Sequence, residues 1–104
     1  MKGLVLLTTL PDVRTAHSLA ILLVREKVAA CVSAHEKSVS FYRWKGKVEK
    51  SEEVQLFIKT SKKHFAKVCG MIRSVHPYDL PEMIALPIVQ GSPEYLKWLQ
   101  DSLK

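Results

Sequence analysis

The spacing of the apolar residues changes along this chain in an order that restricts the fold. Residues 4–10 form a continuous apolar and β-branched run ended by Pro11, which indicates a strand covered on both faces. Helical spacing follows, and later segments return to strand-like and helical patterns. The predicted elements are a strand over 4–10, a helix from Asp12 to about Lys27, a long strand through 28–43, a strand reaching Thr60, a helix over 61–75, a strand over 83–89 buried on both faces, and a short helix opened by 92–94.

This order, βαββαβ followed by a helix, predicts an α+β fold of the ferredoxin-like type, with one antiparallel sheet and two helices on a single face. Gly46 supplies the positive φ that a tight hairpin needs between the two central strands. The arms of this hairpin can each reach roughly twice the usual strand length of 5–6 residues, which is further than two helices can cover. Exposed aromatic residues on the arms, such as Phe41 and Trp44, predict a symmetric homo-oligomer joined through them.

The composition is that of one globular domain over residues 1–104, with 47% hydrophobic and 25% charged residues. The apolar run near the N-terminus is interrupted at Thr8 and Pro11, too soon for a signal peptide or a membrane span. Cys31 and Cys69 lie far apart and form no Cys-x-x-Cys motif. This use of cysteine favours a reduced, cytoplasmic setting.

The net charge of +6 is compatible with nucleic-acid binding, because clustered Lys and Arg neutralise phosphates. The lysines near the hairpin turn alternate with glutamates, however, so a solvated basic surface is the favoured interpretation. RNA-recognition domains share this topology but carry stacking aromatics on a central strand, where residues 54–60 offer only Phe57. We expect neither a nucleic-acid nor a membrane partner. No enzyme is predicted, because a Ser-His-Asp order, a phosphate-cradling glycine loop and a metalloprotease helix are all missing.

Residues 76–82, with the sequence HPYDLPE, place an imidazole, a phenol and carboxylates between two prolines. Each proline fixes its own φ and restricts the residue before it, so we predict a stiff connector of the type in which binding sites are built. His76 and Glu82 are the candidate metal ligands. Two ligands make a poor site, so neighbouring subunits would have to contribute others. The alternative is that His76 hydrogen-bonds the loop backbone and the prolines only separate two elements.

Four residues are predicted to line a ligand cleft, namely Tyr78 from this segment and Lys59, Trp44 and Cys31 from elsewhere in the chain. Lys59 points away from Ile58, so its charge can meet Glu82, Tyr78 or an anionic ligand, and a structural Lys–Glu pair is the simpler account. Trp44 is expected to anchor a subunit interface. The apolar neighbours of Cys31 and Cys69 also predict that both thiols behave as compact core residues.

Two other groups of polar residues have no assigned role in this prediction. His17, His35 and His64 lack partners at ligand spacing and are predicted to lie at the surface. Lys62 and Lys63 fall in the first turn of the second helix, where the helix dipole favours acidic groups. The sequence offers no structural reason for these two lysines.

Six motifs, in order along nearly the whole chain, resemble those of the CutA divalent-cation tolerance family. They are Thr8-x-x-Pro11-Asp12, Ala29-Ala30-Cys31-Val32, Tyr42-x-Trp44-x-Gly46, Lys59-Thr60, His76-Pro77-Tyr78-x-x-Pro81-Glu82 and Tyr95-Leu96-x-Trp98-Leu99. The resemblance implies a ferredoxin-like subunit in a tight trimer, similar in assembly to the PII signalling proteins. It also implies a cytoplasmic protein linked to tolerance of copper and other divalent cations.

The copper-site pattern of some CutA proteins has a cysteine before the Thr-x-Pro-Asp segment and two adjacent histidines before Pro-Tyr. This chain has Thr8 and Val75 where the cysteine and the first histidine would stand, so only His76 is carried over. The favoured function is a trimeric CutA-like protein that acts in divalent-cation tolerance and takes copper or another divalent cation, with no organic cofactor, at an inter-subunit cleft. The alternative is a PII-like signalling or scaffold trimer in which the same cleft takes a small anion, favoured by Lys59, Lys62 and Lys63.

Overall fold

The computed structural model describes residues 2–104 and has mixed α+β architecture. Its elements, in chain order, are β1 (Gly3–Leu10), α1 (Val13–Arg25), β2 (Cys31–Trp44), β3 (Lys47–Ser61), a 3-10 turn (Lys62–His64), α2 (Phe65–Val75), β4 (Ile84–Pro87) and α3 (Pro93–Asp101). The strands form one antiparallel sheet in the order β2-β3-β1-β4. The predicted ferredoxin-like arrangement is therefore confirmed.

The core lies between one face of the sheet and the two longer helices. Leu6 of β1 pairs with Ile58 of β3, and both side chains point to the helix side with no solvent exposure. From the helices, α1 contributes Leu19 and Leu23 and α2 contributes Ile72, which follows the apolar spacing of both segments. Burial of each such side chain stabilises the fold by about 1.5–3 kcal/mol.

Local signals in the sequence set the helix ends. The Asp12 carboxylate accepts a hydrogen bond from the Thr15 N–H at 2.8 Å, and this bond lowers the pKa of Asp12. Ser92 caps α3 in the same way, and Pro93 occupies the first turn of that helix. Ser61 makes no such cap, and its hydroxyl group contacts His64 instead.

The hairpin of β2 and β3 is the longest feature of the molecule, with arms of 14 and 15 residues. Lys45 and Gly46 both have positive φ, as a two-residue hairpin turn requires. Only residues 54–61 of β3 pair with β1, so the part of the hairpin nearer its turn is a two-stranded ribbon. A bulge between His35 and Ser38 interrupts the β2 register, and Lys37 within it has φ 60°.

The fourth strand differs from the prediction, which placed a strand buried on both faces over residues 83–89. The strand β4 is only four residues long and lies at the sheet edge beside β1. The Ile84 and Leu86 side chains are 54% and 52% exposed. Their sheet face is the one opposite α1 and α2, so the apolar run reflects an uncovered surface rather than a second buried layer.

Candidate functional site

The loop at residues 76–82 is attached to the end of β1 through His76. The α2 helix ends at Val75, and the next residue, His76, has an extended backbone, as a residue before proline prefers. The His76 Nε2 atom lies 2.5 Å from the Thr9 carbonyl oxygen, and the Tyr78 N–H donates to Nδ1 at 3.2 Å. Because a carbonyl only accepts and a backbone N–H only donates, this geometry assigns a neutral imidazole with its proton on Nε2.

The bonds of His76 have a direct consequence for metal binding. A metal ion coordinates an imidazole nitrogen through its lone pair, and the Nδ1 lone pair of His76 accepts the Tyr78 N–H while Nε2 carries the proton. In this structure the His76 side chain therefore hydrogen-bonds backbone groups, as in the alternative to metal binding that the sequence left open for this residue. Coordination by His76 requires one of these two bonds to break.

Tyr78 connects the loop to a carboxylate that sequence reasoning missed. Its hydroxyl group donates to Glu53 Oε2 at 2.9 Å, and Glu53 is only 5% exposed. Burial, followed by the bond to Glu53, raises the pKa of Tyr78 to about 12. In the sequence Glu53 is one of several glutamates in the hairpin, and no local signal separates it from Glu52. Its partner Tyr78 lies 25 residues further along the chain.

Glu82 ends the same loop near the buried carboxylate. Desolvation raises the pKa of the Glu82 carboxyl group, and the negative charge of Glu53 raises it further. A carboxyl group whose pKa is raised by a neighbouring carboxylate, as that of Glu82 is, is also stabilised as the carboxylate when a cation lies beside it. The phenol of Tyr78 and the carboxylates of Glu53 and Glu82 are thus the polar cluster that the loop assembles.

Lys59 lies elsewhere on the sheet. Its ammonium group donates to the Tyr95 hydroxyl at 3.1 Å and lies 5.2 Å from the centre of that ring. The hydrogen bond to Tyr95 raises the pKa of Lys59. Cys31 is the cross-strand partner of Lys59 and is partly buried. Within the subunit the partner of Lys59 is therefore an α3 phenol rather than Glu82 or Tyr78.

Trp44 occupies the opposite end of the hairpin and is 43% exposed. Trp44 and Cys31 are the last and first residues of β2, so the strand rise of ~3.3 Å per residue separates them by about 40 Å. Six residues of β3, or about 20 Å, separate Lys59 from Glu53. The residues predicted to line one cleft therefore lie in three places in one subunit.

Comparison with known proteins agrees with the fold and the motifs described above. A family model for the CutA1 divalent ion tolerance protein matches residues 4–102. This chain belongs to the CutA1 family. The divalent-cation tolerance protein CutA of Salmonella newport (strain SL254) is 40% identical over 103 residues, which are 99% of this chain and 90% of that protein.

Solved CutA structures share the complete fold. The divalent cation tolerance protein of Thermus thermophilus has a TM-score of 0.95 and 39% identity, with coverage of 98% of this chain and 99% of that one. CutA1 from Oryza sativa has a TM-score of 0.96 and 36% identity, with coverage of 100% and 95%. The CutA of Archaeoglobus fulgidus, described as periplasmic, has a TM-score of 0.93 and 32% identity over both complete chains.

The CutA copper pattern of one cysteine and two histidines does not fit this chain. The Thr8 hydroxyl is buried with no hydrogen-bond partner among the described residues, and Val75 has no donor atom. Within residues 2–104, no three side chains of His, Cys, Asp or Glu form a group that could hold a metal ion. A metal site in this CutA protein would therefore need donors other than those of the copper pattern.

The remaining histidines include one that the sequence placed wrongly. His64 was predicted to lie at the surface, but it is only 8% exposed because Ser61 and the carbonyl of Lys104 bond its two ring nitrogens. His17 is exposed and lies 3.3 Å from Glu36. Among residues 2–104, none of the helices has the length and apolar character to cross a membrane.

Proposed function

We propose that this CutA chain acts in divalent-cation tolerance as a homotrimer and binds a divalent cation, including copper, at a cleft between subunits. The observation that supports the proposal is the buried Glu53 carboxylate, bonded by Tyr78 and close enough to Glu82 to raise the pKa of that carboxyl group. A buried carboxylate is costly unless a donor or a cation compensates its charge. One phenol compensates Glu53 only in part.

Each residue of the cluster has a distinct role in this proposal. Tyr78 holds Glu53 in place, and Glu82 is the more exposed carboxylate that meets an incoming cation. His76 fixes the start of the loop against β1 and becomes a ligand only if one of its two hydrogen bonds is given up. Copper(II) accepts both imidazole and carboxylate donors, whereas oxygen donors alone suit harder cations.

The second subunit is needed because the donors within one chain are too few. The exposed outer part of the hairpin is the surface that we propose for this contact, with Phe41 68% and Val48 71% exposed. The same contact would bring Lys59, Cys31 and Trp44 of neighbouring chains towards the cleft. We propose a cytoplasmic location because both cysteines are free, as in proteins from reducing compartments.

The test is a titration of the purified protein with Cu(II) against a competing chelator. We expect saturable binding that Glu82→Gln weakens at least tenfold. Glu94→Gln, at an exposed position in α3, makes the same charge change away from the cluster and should leave the affinity unchanged. Equal affinities of all three proteins would exclude Glu82 as a ligand. A parallel titration with Mn(II) shows whether an oxygen-only site is favoured.

A spectroscopic experiment separates the two roles of His76. If His76 is a ligand, the electron paramagnetic resonance spectrum of bound Cu(II) contains nitrogen coupling that His76→Ala removes. If it only fixes the loop, the substitution lowers the melting temperature and leaves the spectrum unchanged. Light scattering should give a mass of three chains of 11.8 kDa, and a monomer mass would contradict the inter-subunit cleft.

A further inference from the structure

A cavity lies where the start of β1, the 3-10 turn and the end of α3 meet. Its volume is about 580 Å³, which is within the usual range for small-ligand sites. The described residues that line it are Lys2, Ser61, Lys62, Lys63, His64, Gln100, Leu103 and Lys104. None of them belongs to the Glu53 cluster.

The side chains that line this basic cavity carry an excess of positive charge. It contains four lysines and no Asp or Glu among the described residues. Asp101 is next to the lining residue Gln100, but its carboxylate bonds Lys97 at 2.7 Å. Even if one negative charge on the α-carboxyl group of Lys104 is counted, positive charge remains in excess. The carbonyl end of α3 adds only about half a negative charge.

The walls of the basic cavity are held in place by buried hydrogen bonds. The Ser61 hydroxyl lies 2.7 Å from His64 Nδ1, and His64 Nε2 lies 2.8 Å from the Lys104 carbonyl oxygen. Since that carbonyl only accepts, the ring donates from Nε2 and receives the Ser61 proton at Nδ1. The Lys104 N–H also bonds the Lys27 carbonyl at 3.1 Å. The backbone that carries these lysines is therefore held in place by hydrogen bonds.

Lys62 and Lys63 lie where the dipole of α2 disfavours positive charge. Both lysines lie before α2, at the positive end of its dipole, where acidic side chains are favoured. No acidic side chain within residues 2–104 forms an ion pair with Lys2, Lys62, Lys63 or Lys104. A bound anion would reverse this unfavourable balance, since it would place negative charge in a cavity that four lysines line.

We propose that the basic cavity is a binding site for a small anion that carries several phosphate groups. Lysine ammonium groups are flexible point charges that suit phosphate oxygens. Leu103 is the only apolar residue in the described lining, which has no Phe, Tyr or Trp ring to stack on a base, and the His64 ring is buried with both nitrogens in hydrogen bonds. The phosphate groups are therefore the part of the ligand that the lysines recognise. This site is separate from the proposed cation cleft.

The test is isothermal titration of the metal-free protein with inorganic triphosphate. We expect saturable binding that Lys62→Gln/Lys63→Gln weakens at least tenfold. The matched control is Arg14→Gln/Arg25→Gln, which removes two positive charges at exposed positions of α1, outside the cavity lining and the hairpin, and should bind triphosphate within about twofold of the wild type. Circular dichroism and thermal melting verify that both variants are folded.

Three outcomes decide the proposal. A loss confined to Lys62→Gln/Lys63→Gln supports it, provided that the affinity also falls as salt is raised. An equal loss in both double variants would show a general effect of net charge and overturn it. Failure of the wild-type protein to bind triphosphate in a saturable way would overturn it as well. Cu(II) affinity should be the same in all three proteins, so the cation cleft is tested independently.

Discussion

The two halves of the β2–β3 hairpin obey the same strand geometry but differ in how they are stabilised. In the inner half, Val54, Leu56 and Ile58 alternate into the core and are at most 3% exposed. In the outer half, Phe41 and Val48 are more than two-thirds exposed. Cross-strand hydrogen bonds continue through both halves, so pairing does not depend on the core. The outer half is therefore a ribbon whose apolar side chains are not buried within the described part of this subunit, and Phe41 has the Lys50 ammonium group 5.8 Å from its ring centre.

The largest expected effect is on assembly. Phe41→Asp places a charge on the outer half and should reduce the mass seen by light scattering from three chains to one, because a buried unpaired carboxylate opposes the contact. Ser18→Asp adds the same charge on the exposed face of α1 and should leave the mass unchanged. A Phe41→Asp protein that still has the wild-type mass would remove the outer half from the interface.

Within one subunit the inner half should dominate stability. Ile58→Ala removes a fully buried side chain and should lower the free energy of unfolding by about 2–5 kcal/mol. Val48→Ala in the outer half should change the stability of the monomeric Phe41→Asp protein by less than about 0.5 kcal/mol. Urea denaturation of the two substitutions in that background measures the difference. Similar losses would show that the outer half is stabilised within the subunit.

The two halves of the hairpin meet at Glu53. The substitution Tyr78→Phe tests how much the hydrogen bond to this carboxylate contributes to stability. The substitution leaves a buried carboxylate without its donor, so the free energy of unfolding should fall by about 1–3 kcal/mol. Chemical denaturation at pH 7 measures this loss. Glu53→Gln/Tyr78→Phe should recover part of the loss, since it also removes the charge; no recovery would mean that Tyr78 acts through packing.

The raised pKa of Tyr78 also predicts a pH dependence with a definite sign. The pKa is about 12 in the folded protein against 10.0 for a free phenol, so the folded state retains the proton more tightly. The contribution of Tyr78 to stability is fully present below pH 10 and is lost as the pH rises towards 12. A denaturation series over this window should show a smaller decline for Tyr78→Phe than for the wild type.

A small effect is also expected for the loss of a hydrogen bond in the outer half. The Tyr42 hydroxyl lies 2.7 Å from the Ser51 hydroxyl across the ribbon, where both groups also have access to water. Tyr42→Phe should therefore cost less than about 1 kcal/mol in denaturation experiments, well below the effect of Tyr78→Phe. A loss as large as that of Tyr78→Phe would show that the outer ribbon is less solvated than its exposure indicates.

The sequence predicted the elements that depend on local periodicity. Strand β1, both long helices and the hairpin turn at Gly46 were predicted because alternation, helical spacing and a positive-φ residue are local signals. Burial of β4 was predicted wrongly, since an apolar run does not reveal whether a layer covers its second face. That face of Ile84 and Leu86 is left open by this subunit.

The candidate site was less predictable because its contacts join distant parts of the chain. The proline loop was recognised as a polar connector, but its partner Glu53 is 25 residues from Tyr78, and the Thr9 carbonyl is 67 residues from His76. The burial of His64 likewise depends on Lys104, 40 residues away. The copper ligands, the cleft lining and the single domain over 1–104 stay predictions.

The two outer strands of the sheet limit how CutA subunits can add to one another. Pro87 in β4 has no N–H to offer a further strand, and the bulge at Lys37 breaks the regular row of donors and acceptors on β2. A sheet whose two edge strands are both regular can pair with further chains indefinitely, and this is how fibres form. With both edges interrupted, we expect a protein with this much exposed apolar ribbon to form closed particles of fixed size rather than polymers, even at high concentration.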